Sequence, residues 1–210
     1  MNSGILTEKK ACVQLWISQL ETFLQSRGQL SLSSADLDDI HRRLGRKHVS
    51  RDFIYSILGR VHEGMQTWIV TSEEKATEIL GLASVECVAP RVRVLHLLCL
   101  DERIEKKGCG RQLFTLVASL IRSTYLVIHS TSCAHGFYLK CGCVPGVDGQ
   151  VKILLEEERQ RYYHLVEEAM ASDNLAGALK LRYAASRLQN ILDWAKPTNL
   201  ELRLFTYRIV

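Results

Sequence analysis

With 210 residues, 47% hydrophobic and 24% charged, the sequence has the make-up of a soluble globular protein: one domain of ordinary size with a small appendage. The net charge of +4 suits an anionic cofactor or an acidic protein partner, and falls short of a nucleic-acid-binding signature. No apolar stretch reaches the ~20 residues of a bilayer span, the first residues lack a signal-peptide pattern, and seven cysteines without scaffold spacing read as reduced, largely buried thiols in a cytosolic or nuclear protein.

Thr7 is expected to cap a helix running to about Arg27, with Val13, Trp16, Ile17, Leu20, Phe23 and Leu24 as its apolar face. Ser34 is expected to cap a second helix through Leu37, Ile40, His41 and Leu44, ending near Gly45. The segment 51–58 reads equally as strand or helix. Thr67–Thr71 and Glu78–Val85 form a hairpin around 72–77. Pro90 precedes a central strand, Val92–Leu100, and the turn Glu105–Arg111 leads into a helix from near Arg111 towards Arg122.

Tyr125–His129 reads as a buried strand, and Ala134–Cys143 as a short helix closed by Gly142. A short strand at Cys143–Pro145, a turn at Gly146–Gly149 and a last long strand at Gln150–Leu155 follow. Helices at Glu156–Met170 and Asn174–Trp194, with Asp173 as a cap between them, precede a strand-like run, Glu201–Tyr207, beyond Pro197. The helical pair is placed as a C-terminal appendage. The alternative inserts it before the true last strand, Leu200–Ile209.

Chemistry concentrates in residues 92–140. The Gly108-Cys109-Gly110 turn lets the backbone bend tightly and directs amide N–H groups outward at a helix N-terminus, where the dipole favours phosphate. Lys106, Lys107 and Arg111 add positive charge around it. This loop and the block after the second strand, in that order, resemble the GNAT superfamily of acetyl-CoA-dependent N-acetyltransferases. The family's loop, Arg/Gln-x-x-Gly-x-Gly/Ala, matches Glu105 to Gly110 except at Glu105. Its second block, Ala-x-x-Phe-Tyr-x-Lys-x-Gly-Phe, matches at Ala134, Phe137, Tyr138, Lys140 and Gly142, with Cys143 replacing the final Phe.

The resemblance covers the middle half of the chain. It implies an α/β fold: a mixed, mostly antiparallel twisted sheet with helices on both faces, here with a C-terminal helical hairpin. The domain would span 1–157, as N-terminal helices (1–48) and a sheet-and-cofactor core (49–157), with 158–210 packed on it or inserted in it. Acetyl-CoA would be held by Lys106, Lys107, Gly108, Cys109, Gly110 and Arg111. Leu98, Cys99 and Leu100 occupy the part of the central strand that the family splays to bind the pantetheine arm and polarise the thioester. Tyr138 stands where many members keep a tyrosine that protonates the leaving thiolate; a phenol, with a pKa near ~10, holds its proton at neutral pH. The alternative for Tyr138 is an aromatic packing on the sheet.

The family's glutamate on the central strand is missing. His96 is the candidate base, directly or through water. The competing reading is a structural histidine, and Asp101, Glu102, Glu86 or a water chain are alternative bases. Cys141, Cys143 and His135 lack a fourth ligand, so no metal site is expected.

The second block is similar to that of histone-type lysine acetyltransferases, which implies a protein lysine, on a histone-like substrate, as acceptor. Alternatives are a small amine, a protein N-terminus, or a catalytically degenerate fold serving as an interaction module. A protein partner is envisaged at the C-terminal helices; nucleic acid and membrane are not. The location expected is intracellular, cytoplasmic or nuclear.

Overall fold

Two periodicities meet in residues 14–26. Leu15 and Ile17 are fully buried while Trp16 and Ser18 are half-exposed, the alternation of a strand; from Leu20 the buried positions become Leu20, Phe23 and Leu24, the spacing of a helix. The segment is therefore strand β2 (Gln14–Gln19) followed by helix α1 (Leu20–Ser26), after a first strand β1 (Gly4–Thr7). The single helix expected from Thr7 to Arg27 is corrected: Thr7 ends a strand, and Val13 lies outside the described residues. The computed structural model describes residues 4–7, 14–44, 49–58, 64–72, 78–104, 108–194 and 202–209.

These fall into two units, residues 1–86 with 95–122, and 87–94 with 123–210. In the first unit, helix α2 (Ser34–Leu44) is capped one residue earlier than expected. The Ser33 hydroxyl accepts from the Asp36 N–H at 3.1 Å, and the Asp36 carboxylate accepts in return from the Ser33 N–H at 3.0 Å, a reciprocal box. Helix α3 (Arg51–Leu58) resolves the ambiguous segment: Ile54, Ile57 and Leu58 are buried at helical spacing.

The hairpin is present as β3 (Met65–Ser72) and β4 (Ile79–Ala89), with Thr67 opposite Ser84; its tip, 73–77, lies outside the described residues. Strand β5 (Val92–Leu100) completes the order β1-β2-β3-β4-β5. The pairs β1–β2, β2–β3 and β3–β4 are antiparallel. Helices α1, α2 and α3 bury Phe23, Ile40, Leu44 and Ile54 with Ile69, Leu82 and Leu97 of the strands in one core. Helix α4 (Cys109–Leu120) closes the unit, starting two residues before the expected position.

The second unit holds β6 (Tyr125–Thr131), a 3-10 turn (Ser132–Ala134), α5 (His135–Lys140) and β7 (Val144–Pro145). Next come α6 (Gly149–Ala171), α7 (Leu175–Trp194) and β8 (Leu202–Arg208). Strand β8 pairs antiparallel with β6 along its length, Ile128 opposite Phe205, and with β7, Val144 opposite Thr206. The mostly antiparallel α/β sheet and C-terminal helical pair match the expected fold class.

One strand assignment is overturned. Residues 150–155, expected as the last strand, are the first turns of α6. The Asp148 carboxylate accepts from the Gln150 N–H at 2.8 Å, which caps the helix, and Val151 and Leu155, four apart, are fully buried. The last strand is β8, so the helical pair lies between β7 and β8 in the sheet's chain order, as the alternative reading had it. Asn174 rather than Asp173 caps α7, accepting from the Gly177 N–H at 3.0 Å.

The entry to this helical insert is tied to β8, the strand that follows it, at Thr206. Its hydroxyl donates to the Gly146 carbonyl at 2.8 Å and accepts from the Asp148 N–H at 3.2 Å, and Gly146 N–H donates to the Leu204 carbonyl at 2.7 Å. Val151, Leu155, Leu188 and Ile191 pack with Val92, Val94, Val127 and Leu204. Among the described residues no helix is long and apolar enough to cross a membrane.

Candidate active site

Strand β5 delivers the first unit's chemistry in order: His96, then Leu98, Cys99 and Leu100, then the approach to α4. The last three residues are half-buried, so the strand end keeps part of its surface open. Gly81 of β4 lies against it. A Cβ built there would stand 2.4 Å from Leu100 Cδ2 and 3.0 Å from the Cys99 carbonyl oxygen, so any side chain at this position has to displace the Leu100 methyl and press on the strand backbone.

Ion pairs hold the segment after β5. Asp101 is 5% exposed, and its carboxylate accepts from Arg103 Nε and from Arg103 Nη2, both at 2.8 Å, and from the Arg103 N–H at 3.0 Å. Arg43 of α2 lies 3.5 Å from the same carboxylate and donates to the Ile79 carbonyl at 2.8 Å. Arg103 also bonds Glu78 at 2.7 Å. The Arg103 hydrogen bonds, helped by its charge and that of Arg43, hold Asp101 at about 2 against burial, and raise Arg103 further above its ordinary value. A carboxyl held so acidic is a poor proton acceptor at neutral pH, which removes Asp101 from the alternative bases. Glu102 is exposed in the turn that follows.

Gly108 is the N-cap of α4 with φ 89°, the left-handed conformation that glycine adopts without strain. Glycine brings no side-chain oxygen to the first-turn N–H groups, and no acid lies in that turn. Gly110 is an ordinary helical residue, so one glycine of the pair is required by φ and the other contributes a missing side chain. Cys109 is fully buried; its thiol belongs to the core and only its backbone faces the turn. Arg111 is exposed. Lys106, Lys107 and Glu105 lie outside the described residues.

His96 has as its partner Glu86, one of the alternative bases. Its Nε2 lies 2.7 Å from Glu86 Oε2 of β4, both side chains less than a tenth exposed. A carboxylate accepts only, so Nε2 donates to Glu86; in the neutral ring it is Nδ1 that carries the lone pair. A glutamate of the neighbouring strand, ten residues earlier in the chain, therefore stands beside His96.

Tyr138 belongs to the second unit. Its ring is buried, edge-on to Phe137 at 5.1 Å and tilted against Phe205 of β8 at 5.9 Å. Phe205 also takes the edge of His135 at 5.4 Å. The tyrosine ring is thereby fixed by aromatic packing. Gly142, with φ 85°, ends α5.

Among the described cysteines only Cys109 and Cys143 are buried; Cys87 and Cys133 are exposed, which corrects the expectation of largely buried thiols. Desolvation, with the nearby Cys141, pushes Cys143 up to about 12. Among the described residues no His, Cys, Asp and Glu cluster has the arrangement of a metal site.

No family model matches the sequence, and no curated protein matches it. Solved structures do. The chain is similar to GCN5 from Tetrahymena, at 15% identity and a TM-score of 0.48 over 69% of this chain and 79% of that one. It is similar to a GNAT family acetyltransferase from Elizabethkingia anophelis with acetyl-CoA bound, at 16% identity and 0.45 over 63% and 78%. It is similar to spermidine N-acetyltransferase from Vibrio cholerae in complex with CoA and spermine, at 16% and 0.44 over 63% and 82%. The likeness is one of fold.

Proposed function

We infer that the chain is an acetyl-CoA-dependent N-acetyltransferase of the GNAT superfamily, with a protein lysine as acceptor. The observation that carries this reading is the left-handed Gly108 opening α4 directly after β5, in a sequence that holds both GNAT blocks in order. A first turn without side-chain cap or acid is suited to anionic phosphate. Acetyl-CoA supplies the activated thioester; this chain's residues bind and move protons. The backbone of Gly108 to Arg111 takes the phosphates, and the open end of β5 takes the pantetheine arm.

His96 is the base. Glu86 fixes its tautomer, leaving Nδ1 to accept the amine proton through water, and stabilises the imidazolium that results. Tyr138 is the acid for the departing thiolate, an assignment that rests on the matching block. The lysine acceptor is supported by Ala134-x-Gly136-Phe137-Tyr138-x-Lys140, the pattern shared with histone-type enzymes.

Calorimetry with acetyl-CoA, followed by thiol release against histone-tail peptides, amino-terminal peptides and spermidine, tests the reading. Gly110→Asp, which sets a carboxylate at the phosphate turn, abolishes binding while the circular dichroism spectrum persists. A folded variant that binds like wild type refutes the cofactor site; turnover with spermidine alone refutes the acceptor class. His96→Gln removes the acidic limb of kcat/KM if His96 is the base, and leaves the limb in place if it is structural.

A further inference from the structure

The outer faces of α6 and α7 remain unexplained by acetyl transfer. The insert is anchored at its base, where Val151, Leu155, Leu188 and Ile191 enter the core. Its other half, towards the turn at 172–174, is different: from Tyr163 to Tyr183 only Ala178 is buried. On that half Leu175, Leu179 and Tyr183 follow one another at four-residue intervals, a continuous ridge on α7. Tyr163 and Met170, seven apart, share a face of α6. These five side chains are each between 41% and 61% exposed. At ~200 Å² per large side chain they leave roughly 500 Å² of apolar surface in water, as large as the largest patches of ordinary monomers, which are often functional.

Charge identifies the occupant. From Leu175 to Gln189, α7 carries Lys180, Arg182 and Arg187 and no acid. Lys180 and Arg182 are exposed, and no described carboxylate lies within ion-pair distance of either. From Tyr162 to Ala171, α6 carries Glu167 and Glu168 and no Lys or Arg; among the described residues these acids lie within ion-pair distance only of His164, Glu168 at 3.3 Å and Glu167 at 4.0 Å. The chain therefore presents a cationic apolar ridge and an acidic apolar face on adjacent helices.

We propose that this half of the hairpin docks on the same half of a second copy of the chain. In this dimer α7 of each copy lies on the partner's α6, forming a two-fold symmetric four-helix bundle. The reverse pairing, α7 on α7, sets Lys180 and Arg182 against their own copies and is repulsive. The ridge of Leu175, Leu179 and Tyr183 enters the groove beside Tyr163 and Met170, with Lys180 and Arg182 flanking Glu167 and Glu168 at the rim. With its polar rim, such a contact approaches the ~800 Å² per partner of a stable interface. Two antiparallel helices expose too much of themselves to be well packed alone, and the second hairpin supplies the missing side.

The test is sedimentation equilibrium of the full chain from 1 to 100 µM, with circular dichroism confirming the fold of every variant. Wild type sediments as a dimer. Leu179→Glu, at an already exposed helix position, raises the dimer dissociation constant at least tenfold with helicity unchanged. Lys180→Glu with Arg182→Glu, and separately Glu167→Lys with Glu168→Lys, each weaken self-association; mixed one to one, the two variants form a heterodimer. A wild-type monomer at 100 µM overturns the proposal, and binding of that monomer to phosphatidylserine vesicles would assign the ridge to a lipid surface instead. A dimer that survives Leu179→Glu, or a mixture that stays monomeric, overturns it as well.

Discussion

Replacing Asp101 by Asn tests how the approach to α4 is held. The side chains are nearly isosteric, so the change removes charge rather than volume. In the folded chain Asp101 titrates at about 2 instead of the ordinary 3.8, a gap equivalent to about 2.5 kcal/mol. Its main partner, Arg103, has half of its side chain in water, so screening reduces the expected contribution to about 1–2 kcal/mol. A depressed carboxyl pKa means that the unfolded chain binds the proton first. The stabilisation is complete above about pH 4 and is lost as the pH falls towards 2. Urea unfolding followed by circular dichroism should place Asp101→Asn below wild type by that amount at pH 7, with the gap narrowing from about pH 4 towards pH 2. Equal stability at pH 7, or a gap that ignores pH, refutes the role given to Asp101.

Three further outcomes follow from the same geometry. Gly81→Val drives a branched side chain into Leu100 and the Cys99 carbonyl; it should cost about 1–3 kcal/mol in urea unfolding and weaken acetyl-CoA binding by calorimetry, whereas unchanged binding would separate the end of β5 from the cofactor. Tyr138→Phe keeps the ring contacts to Phe137 and Phe205 and should lower kcat ~10²–10⁴-fold with little change in acetyl-CoA affinity; full activity would leave Tyr138 as a packing residue. Brief maleimide labelling at pH 7.5, read by peptide mass spectrometry, should modify exposed Cys87 and Cys133 and spare Cys143, whose thiol is held at about 12; rapid labelling of Cys143 in folded protein would contradict its burial.

The run from β3 to α5 was legible because each segment carries one clean period and its own punctuation: Pro90 before β5, Gly108 before α4, Gly142 after α5. Legibility failed where two periods share the same residues. Trp16, Ile17, Leu20 and Leu24 satisfy a helical wheel, yet Ile17 serves a strand and Leu20 a helix. Val151, Ile153 and Leu155 alternate as strand residues do, and the Asp148 cap, together with the place beside β6 taken by β8, settles them as helix. The His96–Glu86 contact depends on how β4 and β5 meet across their turn, which composition does not specify. Arg43 and Glu78 stand 35 residues apart, and no local pattern announces that they converge near Asp101. The Gly108 turn was readable because its geometry is backbone geometry, local by nature.

The Thr206 clasp gives the helical insert an unusual freedom. Because the chain leaves the sheet at Gly146 and Asp148 and returns as the strand that bears the Thr206 hydroxyl, the excursion between them is a closed detour whose ends are already tied. Lengthening such a detour costs only about 0.6 kcal/mol of closure entropy per doubling. The β6–β8–β7 pairing can therefore persist while the far half of the excursion varies by the rules of a surface; its near half, where Val151, Leu155, Leu188 and Ile191 join Val127 and Leu204, keeps to the rules of the sheet.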